Sequence, residues 1–147
     1  MLATVHTTRF GEIEVSDEEI FRFSEGLPGF EDMHQFVIFR TNPEAVFWYL
    51  HSLQNPELCF IIADPFMFYP EYEFDLNENV SADLKLDRAE QLKIWSIITV
   101  PAGSSIEHAT INLVAPIVIN TVTKQSKQVI LYNSNYSIKQ KLLSGDE

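Results

Sequence analysis

The 147-residue chain has the length of a single domain, and its 46% hydrophobic content favours a folded globule over a disordered segment. Its formal net charge of -11 repels phosphate backbones, so we expect no direct binding to nucleic acid. No apolar run reaches the roughly 18 residues that cross a bilayer, and the N-terminal residues lack the pattern of a signal peptide, so no membrane association is expected. Cys59 is the single cysteine, which excludes an internal disulfide and favours a cytoplasmic location.

The charge is distributed unevenly along the chain. Residues 1–90 hold 18 acidic residues and 5 lysines or arginines, a net of -13, whereas residues 91–147 hold 3 and 5, a net of +2. Such an acidic field attracts a basic partner and speeds its encounter in a salt-dependent manner. The alternative is that the acidity serves only to keep a small protein soluble.

Strand patterns dominate the chain from its N-terminus. Two β runs meet at Phe10-Gly11 and predict a hairpin. Ser16 and Glu19 then have capping-box spacing, but the strand-like alternation that follows limits any helix to one turn. Further strands are predicted at residues 36–39, 46–50, 58–63, 72–76, 94–100, 109–120 and 128–132. Turn-forming residues separate them, including the polar segment 123–128.

Helix is scarce in the pattern. The best candidate is the segment 79–92, in which Ser81 or Asp87 could cap a short helix. Pro116 has no N–H to donate to a sheet, so the run 109–120 must bend, bulge or lie at an edge. Roughly nine or ten short strands at this spacing predict an all-β, mainly antiparallel domain spanning residues 1–147, either a sandwich or a small barrel.

Motifs for catalysis, metal binding or cofactor binding are missing from the sequence. The four histidines are far apart, and the calcium-loop pattern that begins at Asp75 has Val80 and Leu86 where a glycine and a chelating glutamate are required. No phosphate-binding loop or nucleophile elbow is present, and Cys59 lies in an apolar run that stabilises its neutral thiol. We therefore predict no catalytic residue, no metal site and no cofactor.

The segment 64–76 has the composition of a binding surface. Aromatic residues alternate with carboxylates in it, and two prolines stiffen it. Strand alternation would turn Tyr72, Phe74 and Leu76 to one face and the carboxylates to the other. An ordinary strand with a solvated acidic face is the alternative. As candidates for contact with a basic, amphipathic partner we take Phe66, Phe68, Tyr69, Glu71, Glu73 and Asp75.

The stretch "FSEGLPGFED" at residues 23–32 predicts a type II turn. Pro28 fixes φ at the first central position and Gly29 can adopt the positive φ that the second position requires. We expect Phe23 and Phe30 to anchor the two arms of this turn in the core. Glu31 and Asp32, at its exit, are further candidates for a partner surface.

Several blocks in fixed order carry a family resemblance. They are "F-x-x-GLPGFE" at 23–31, "HSLQNPELCFIIADP" at 51–65, "PEYEFDL" at 70–76, "INLVAPIVIN" at 111–120 and "QVILYNSNY" at 128–136. Together they resemble the FliW family of bacterial flagellar assembly factors over nearly the whole chain. The resemblance implies a small closed or partly open β-barrel with one or two short helices, and a cytoplasmic, non-enzymatic regulator.

The same resemblance implies two partners. FliW proteins bind the dimeric RNA-binding repressor CsrA and antagonise its control of translation, and they also bind flagellin, which couples flagellin synthesis to export. The family is described as binding CsrA outside its RNA-binding cleft. We therefore expect the carboxylates of Glu71, Glu73 and Asp75 to repel the RNA phosphates that approach this cleft. The main alternative is a β-barrel that binds a small molecule, which predicts an internal pocket of several hundred Å³. An enzyme, the third possibility, would require titratable groups converging in a cleft.

Overall fold

The computed structural model describes residues 2–76, 78–86, 89–101, 103, 106–132 and 134–142. Within these ranges eleven strands and one short α-helix form. The strands are β1 (Leu2–Thr7), β2 (Gly11–Ser16), β3 (Ile20–Phe23), β4 (Gln35–Phe39), β5 (Trp48–Ser52), β6 (Cys59–Ala63), β7 (Leu92–Thr99), β8 (Thr110–Ile111), β9 (Ile117–Asn120), β10 (Gln125–Gln128) and β11 (Gln140–Lys141), and the helix is α1 (Glu78–Asp83). No helix among the described residues is long and apolar enough to cross a membrane.

Seven of the strands close into a barrel in the order β3-β4-β5-β6-β7-β9-β10, with β10 returning to β3. Neighbouring strands are antiparallel except at the closure, where β10 runs parallel to β3 and Gln125 and Ser126 lie opposite Arg22 and Phe23. The short strands β8 and β11 extend the sheet from β7. The predicted all-β, mainly antiparallel barrel is confirmed.

The barrel interior is filled with side chains. Alternate residues of six barrel strands point inward and form one cluster, among them Phe23, Phe36, Leu50, Ile62 and Ile117, all of which are fully buried. This alternation follows from the two-residue period of a strand, which places every second side chain on the same face. The interior therefore behaves as a packed core.

Two further clusters lie on the outer surface of the barrel. The β1–β2 hairpin covers one side, where Val5 and Val15 pack on Ile20 and Val37. Residues 68–76 and 78–86, with Tyr136 and Leu142, cover the outer faces of β6, β7 and β9, where Tyr72 and its neighbours are buried. The barrel wall is thus apolar on both faces over much of its circumference.

Local predictions near the N-terminus are confirmed. The hairpin turns at residues 8–10, directly before Gly11. Ser16 and Glu19 form a reciprocal capping box on a single 3-10 turn, Asp17–Glu19.

The bend predicted at Pro116 is also present. Pro116 lies between β8 and β9, and the Asn112 side chain accepts hydrogen bonds from the backbone N–H groups of Val114 and Ala115 there.

Three strand predictions are wrong, because long-range partners decide them. Residues 72–76 form no strand, although Tyr72 is buried and the carboxylates at 71, 73 and 75 are exposed, as the alternation predicted. The polar segment 123–128, expected to be a connection, contains β10, which closes the barrel. The strand predicted at residues 128–132 ends at Gln128, where β10 stops. The next residue, Val129, donates to the carbonyl of Pro116, but a proline has no N–H to donate in return, so the regular pairing is interrupted.

The predicted helix at 79–92 is shorter and divided. It comprises α1 and the 3-10 turn Ala89–Gln91, and Ser81 lies inside α1 instead of capping it. The other proposed cap, Asp87, lies outside the described residues. Asn120 stabilises the C-terminal end of α1, because its side-chain amide donates to the carbonyls of Leu84 and Lys85.

Candidate functional site

The type II turn predicted at residues 23–32 is present. Leu27 and Phe30 pair through two backbone hydrogen bonds, and Gly29 between them has φ +86°. Leu27 is 1% exposed and belongs to the interior cluster of the barrel. The turn therefore closes one end of the barrel and holds its polar flanks at that end.

One expectation about this turn is wrong. Phe23 is fully buried, but Phe30 is 38% exposed and its ring rests edge-on against Phe60, with ring centres 5.8 Å apart. The tight pairing around Pro28 and Gly29 directs the second arm outward, since Leu27 already fills the barrel end. Phe30 is therefore a surface aromatic beside the carboxylates of Glu31 and Asp32.

Two grooves adjoin the turn and share Pro28, Gln128 and Ile130. An apolar groove of about 300 Å³ also touches Phe60 and Ile97. A second groove of about 500 Å³ is lined by both charged and apolar residues. We name the surface around them the turn surface. It comprises the groove residues Glu25, Pro28, Glu31, Ile130 and Tyr132, together with the exposed residues Phe30 and Asp32 that flank Glu31 in the chain.

The turn surface combines exposed apolar groups with carboxylates. Ile130 is 43% and Tyr132 85% exposed, and large hydrophobic groups so exposed are candidates for burial by a partner. Glu31 also accepts a hydrogen bond from the N–H of Gly29 at 3.1 Å, which fixes its carboxylate beside the turn. Lys127 is the cation of this region, and it already lies 3.4 Å from both Glu25 and Asp83.

The aromatic residues predicted for partner contact divide into two groups. Phe68 and Tyr69 are half-buried: the Phe68 ring stacks on Phe47, and the Tyr69 hydroxyl donates to the carbonyl of Lys141. Phe66, in contrast, is 40% exposed, and Met67 beside it is 60% exposed. The exposed apolar part of the segment is therefore its N-terminal end.

The carboxylates of the same segment face solvent. Glu71, Glu73 and Asp75 are all exposed, while Tyr72 between them is buried and donates its hydroxyl to the carbonyl of Leu113 at 2.8 Å. Burial, and next the neighbouring Tyr136, raise the pKa of Tyr72 above its usual range, so its hydroxyl stays protonated. Tyr72 thus anchors a row of three carboxylates on the surface.

The candidate carboxylates at the turn, Glu31 and Asp32, and those in the segment 64–76 lie in different parts of the chain, with α1 next to both. Glu31 and Val80 of α1 line the same groove, and the carboxylate row at 71–75 leads along the chain to α1. Ile130 and Tyr132 are not among the candidates drawn from the sequence, because the pattern at residues 128–132 predicts an ordinary strand. The closeness of Pro116, which interrupts the pairing of this segment, was the available signal.

The structure offers little for metal or acid–base chemistry. Among the described residues no group of three or more His, Cys, Asp or Glu side chains could hold a metal ion. Burial raises the pKa of the Cys59 thiol, an effect that the positive charge of Arg9 partly opposes. The small-molecule alternative predicted a large internal pocket, but the described residues fill the barrel interior and leave their larger grooves on its surface.

Comparison with known proteins gives the family. The family model described as FliW protein matches residues 4–142. The chain belongs to the FliW family. It is 43% identical over 135 residues to the flagellar assembly factor FliW of Bacillus pumilus, covering 92% of each chain. The corresponding factor of Bacillus subtilis is 36% identical over 92% of this chain and 93% of its own. These relatives are named as assembly factors and not as enzymes.

The fold agrees with that assignment. A crystal structure of the flagellar assembly factor FliW matches with a TM-score of 0.89 and 35% sequence identity, over 99% of this chain and 100% of the other. The resemblance drawn from the five sequence blocks is therefore confirmed for both family and fold.

Proposed function

We propose that this FliW-family protein is a cytoplasmic, non-enzymatic assembly factor that acts as one domain over residues 1–147. It binds the CsrA dimer and antagonises its binding to RNA, and it binds flagellin. Exchange between these partners then couples flagellin translation to export. Family membership supports the flagellar role, and the acidic surface supports a basic partner.

The observation that carries the proposal is the turn surface. It places exposed apolar groups, Phe30, Ile130 and Tyr132, beside the carboxylates of Glu25 and Glu31. An apolar centre with a charged rim is the usual anatomy of a protein–protein interface. An RNA-binding repressor carries a basic surface that binds the RNA phosphates. The acidic rim of the turn surface has the opposite charge and is therefore complementary to it.

The carboxylate row at Glu71, Glu73 and Asp75 supports antagonism. Its three charges are exposed and project from a backbone that Tyr72 anchors to the barrel. Docked beside the RNA site of CsrA, this row repels the phosphates that must enter, without filling the site itself. Phe66 at the start of the segment supplies an exposed aromatic contact. Phe68 and Tyr69 instead hold the segment on the protein, through the Phe47 ring and the Lys141 carbonyl respectively.

Calorimetric titration with CsrA, with and without a saturating terminal segment of flagellin, tests the proposal. We expect binding to CsrA that weakens with salt and is lost in the presence of flagellin. Binding that flagellin leaves unchanged would refute the exchange of partners, and no complex with either protein would refute the function as a whole.

Charge reversal tests the two surfaces separately. The change Glu31→Lys with Asp32→Lys should weaken CsrA binding, because it reverses the rim of the turn surface. Reversal of Glu71, Glu73 and Asp75 to lysine should reduce RNA displacement and its salt dependence. The matched control is lysine at Glu14, Asp17 and Glu18, three exposed carboxylates in β2 and the 3-10 turn that follows it, which changes net charge equally. If this control and the 71–75 variant behave alike, the effect is one of net charge alone and the assignment of the row is wrong.

A further inference from the structure

The end of the barrel opposite the turn carries a second, chemically different site. A cavity of about 210 Å³ opens there between Phe21 of β3, Trp48 of β5 and Trp95 of β7. Ile119 closes its floor, while Lys93 and Lys124 line it as well. The side chains deeper in the barrel are fully buried, so the cavity is a shallow cup at this mouth.

Three cations surround the aromatic rings of this cup. The Arg40 guanidinium lies 4.4 Å from the ring centre of Trp48, the Lys93 amine 4.7 Å from Trp95, and the Lys124 amine 5.3 Å from Phe21. We name these six residues the basic mouth. In a chain with ten lysines and arginines and a net charge of -11, three cations at one cup form a local field of opposite sign.

Only part of this charge is neutralised. Lys93 pairs with Asp64 at 2.8 Å, whereas neither Arg40 nor Lys124 forms an ion pair with another described residue. The backbone holds Lys124 in place: it has φ +68°, and its N–H donates to the carbonyl of Asn120 at 2.8 Å. A non-glycine residue in this conformation is uncommon and requires support from its surroundings.

Asn120 provides that support. Its side-chain oxygen accepts from the N–H groups of Val122 and Thr123, and its amide donates to the carbonyl of Leu84. Asn120 is fully buried, and its hydrogen bonds fix the turn between β9 and β10 that places Lys124 at the rim of the cup.

We propose that the basic mouth binds a small carboxylate that carries one aromatic ring. An apolar cavity of about 150 Å³ holds a benzene molecule, so the space at the mouth accommodates a single ring with a short acidic arm. The aromatic walls pack against the ring. Lys124 and Arg40, which form no ion pair with another described residue, attract the carboxylate, although the Arg40 guanidinium also donates to the carbonyl of Ala45 at 3.1 Å. This site is separate from the turn surface and does not depend on the proposed partners.

Intrinsic fluorescence provides a direct test, because both tryptophans of the chain belong to the mouth and their ring centres are 5.5 Å apart. The intact protein is titrated with phenylacetate and, in parallel, with phenylacetamide, which has a similar shape and no charge. We expect saturable changes in tryptophan emission with phenylacetate at concentrations about tenfold lower than with the amide, the difference that one charge-assisted contact supplies. Added salt should reduce this preference.

Lys124→Gln should clearly reduce the preference for the acid, to the part that Arg40 supplies, while leaving the circular dichroism spectrum unchanged. Lys139→Gln, which removes one exposed positive charge outside the mouth, is the control and should preserve the preference. Equal binding of acid and amide, no response to either compound, or equal loss in both lysine variants would each overturn the proposal.

Discussion

Leu27 and Phe30 hold each other through two backbone hydrogen bonds, with N–O distances of 2.6 and 3.3 Å, although one side chain is buried and the other exposed. Gly26, directly before the pair, and Gly29, between its two members, have φ values of +67° and +86°. A Cβ atom on Gly26 would lie 2.6 Å from the carbonyl oxygens of Phe30 and Glu31, whereas one on Gly29 would meet open space. The two glycines therefore serve different physical purposes.

Alanine at the two glycines should separate these purposes. Gly29→Ala should cost about 1–2 kcal/mol, the strain of a left-handed backbone. Gly26→Ala adds a backbone collision to the same strain, so we expect a total loss of about 3–4 kcal/mol. Urea denaturation of both variants measures the difference, and equal costs would show that the close approach at Gly26 relaxes freely.

Asn120→Ala should destabilise the protein by about 2–4 kcal/mol, because it leaves the buried carbonyl of Leu84 and two part-buried backbone N–H groups without this partner. Asn120 bridges Leu84 at the end of α1 and the N–H groups of the turn before β10. Asn112→Ala is the comparison: Asn112 is half-buried and serves only its own bend, so a loss of about 1 kcal/mol is expected. Thermal unfolding that ranks the two variants in the reverse order would contradict this account.

Tyr72→Phe should change the dependence of stability on alkaline pH. The pKa of Tyr72 is raised in the folded protein, so above about pH 10 the unfolded tyrosine ionises while the folded one keeps its proton. Its contribution is therefore complete below that pH and is lost as pH rises further. The variant should lose about 1 kcal/mol at neutral pH through its hydrogen bond to Leu113 and show a shallower alkaline decline.

Urea titrations between neutral and strongly alkaline pH measure that decline. Tyr132→Phe, at an exposed position, controls for the removal of a phenol and should keep the slope of the unchanged protein. A Tyr72→Phe variant with an undiminished slope would assign the alkaline loss to other groups.

Cys59 should react slowly with a thiol reagent in the folded protein. Burial raises the pKa of its thiol and lowers the fraction of reactive thiolate, while Arg9 acts in the opposite direction. At mildly alkaline pH, the folded protein should therefore react more slowly than the urea-unfolded one, and Arg9→Gln should slow it further. The absorbance of the chromophore that the reagent releases follows the reaction. Faster labelling of the folded than of the urea-unfolded protein would be inconsistent with this environment.

Elements whose hydrogen-bond partners lie close in sequence were predictable. The capping box of Ser16 and Glu19 and the type II turn at Pro28-Gly29 each depend on residues within a few positions of one another. The alternation at Tyr72 correctly indicated which side chains face solvent, but it did not reveal that this segment has no partner strand. Exposure of Phe30 depended on Leu27 occupying the barrel end, which no local pattern contains.

The sequence by itself determined the family, the mainly antiparallel β class and the acidic character, because ordered motifs, two-residue periodicity and net charge are properties of the chain alone. Only the tertiary structure decided which strands close the barrel. It paired the polar strand β10 with β3, which lies about a hundred residues earlier in the chain. It placed the exposed side chain of Ile130 beside Glu31. It also gathered Arg40, Lys93 and Lys124 around the rings of Trp48, Trp95 and Phe21 at one mouth. Such groupings arise from long-range packing, where side chains distant in sequence share one enclosed space.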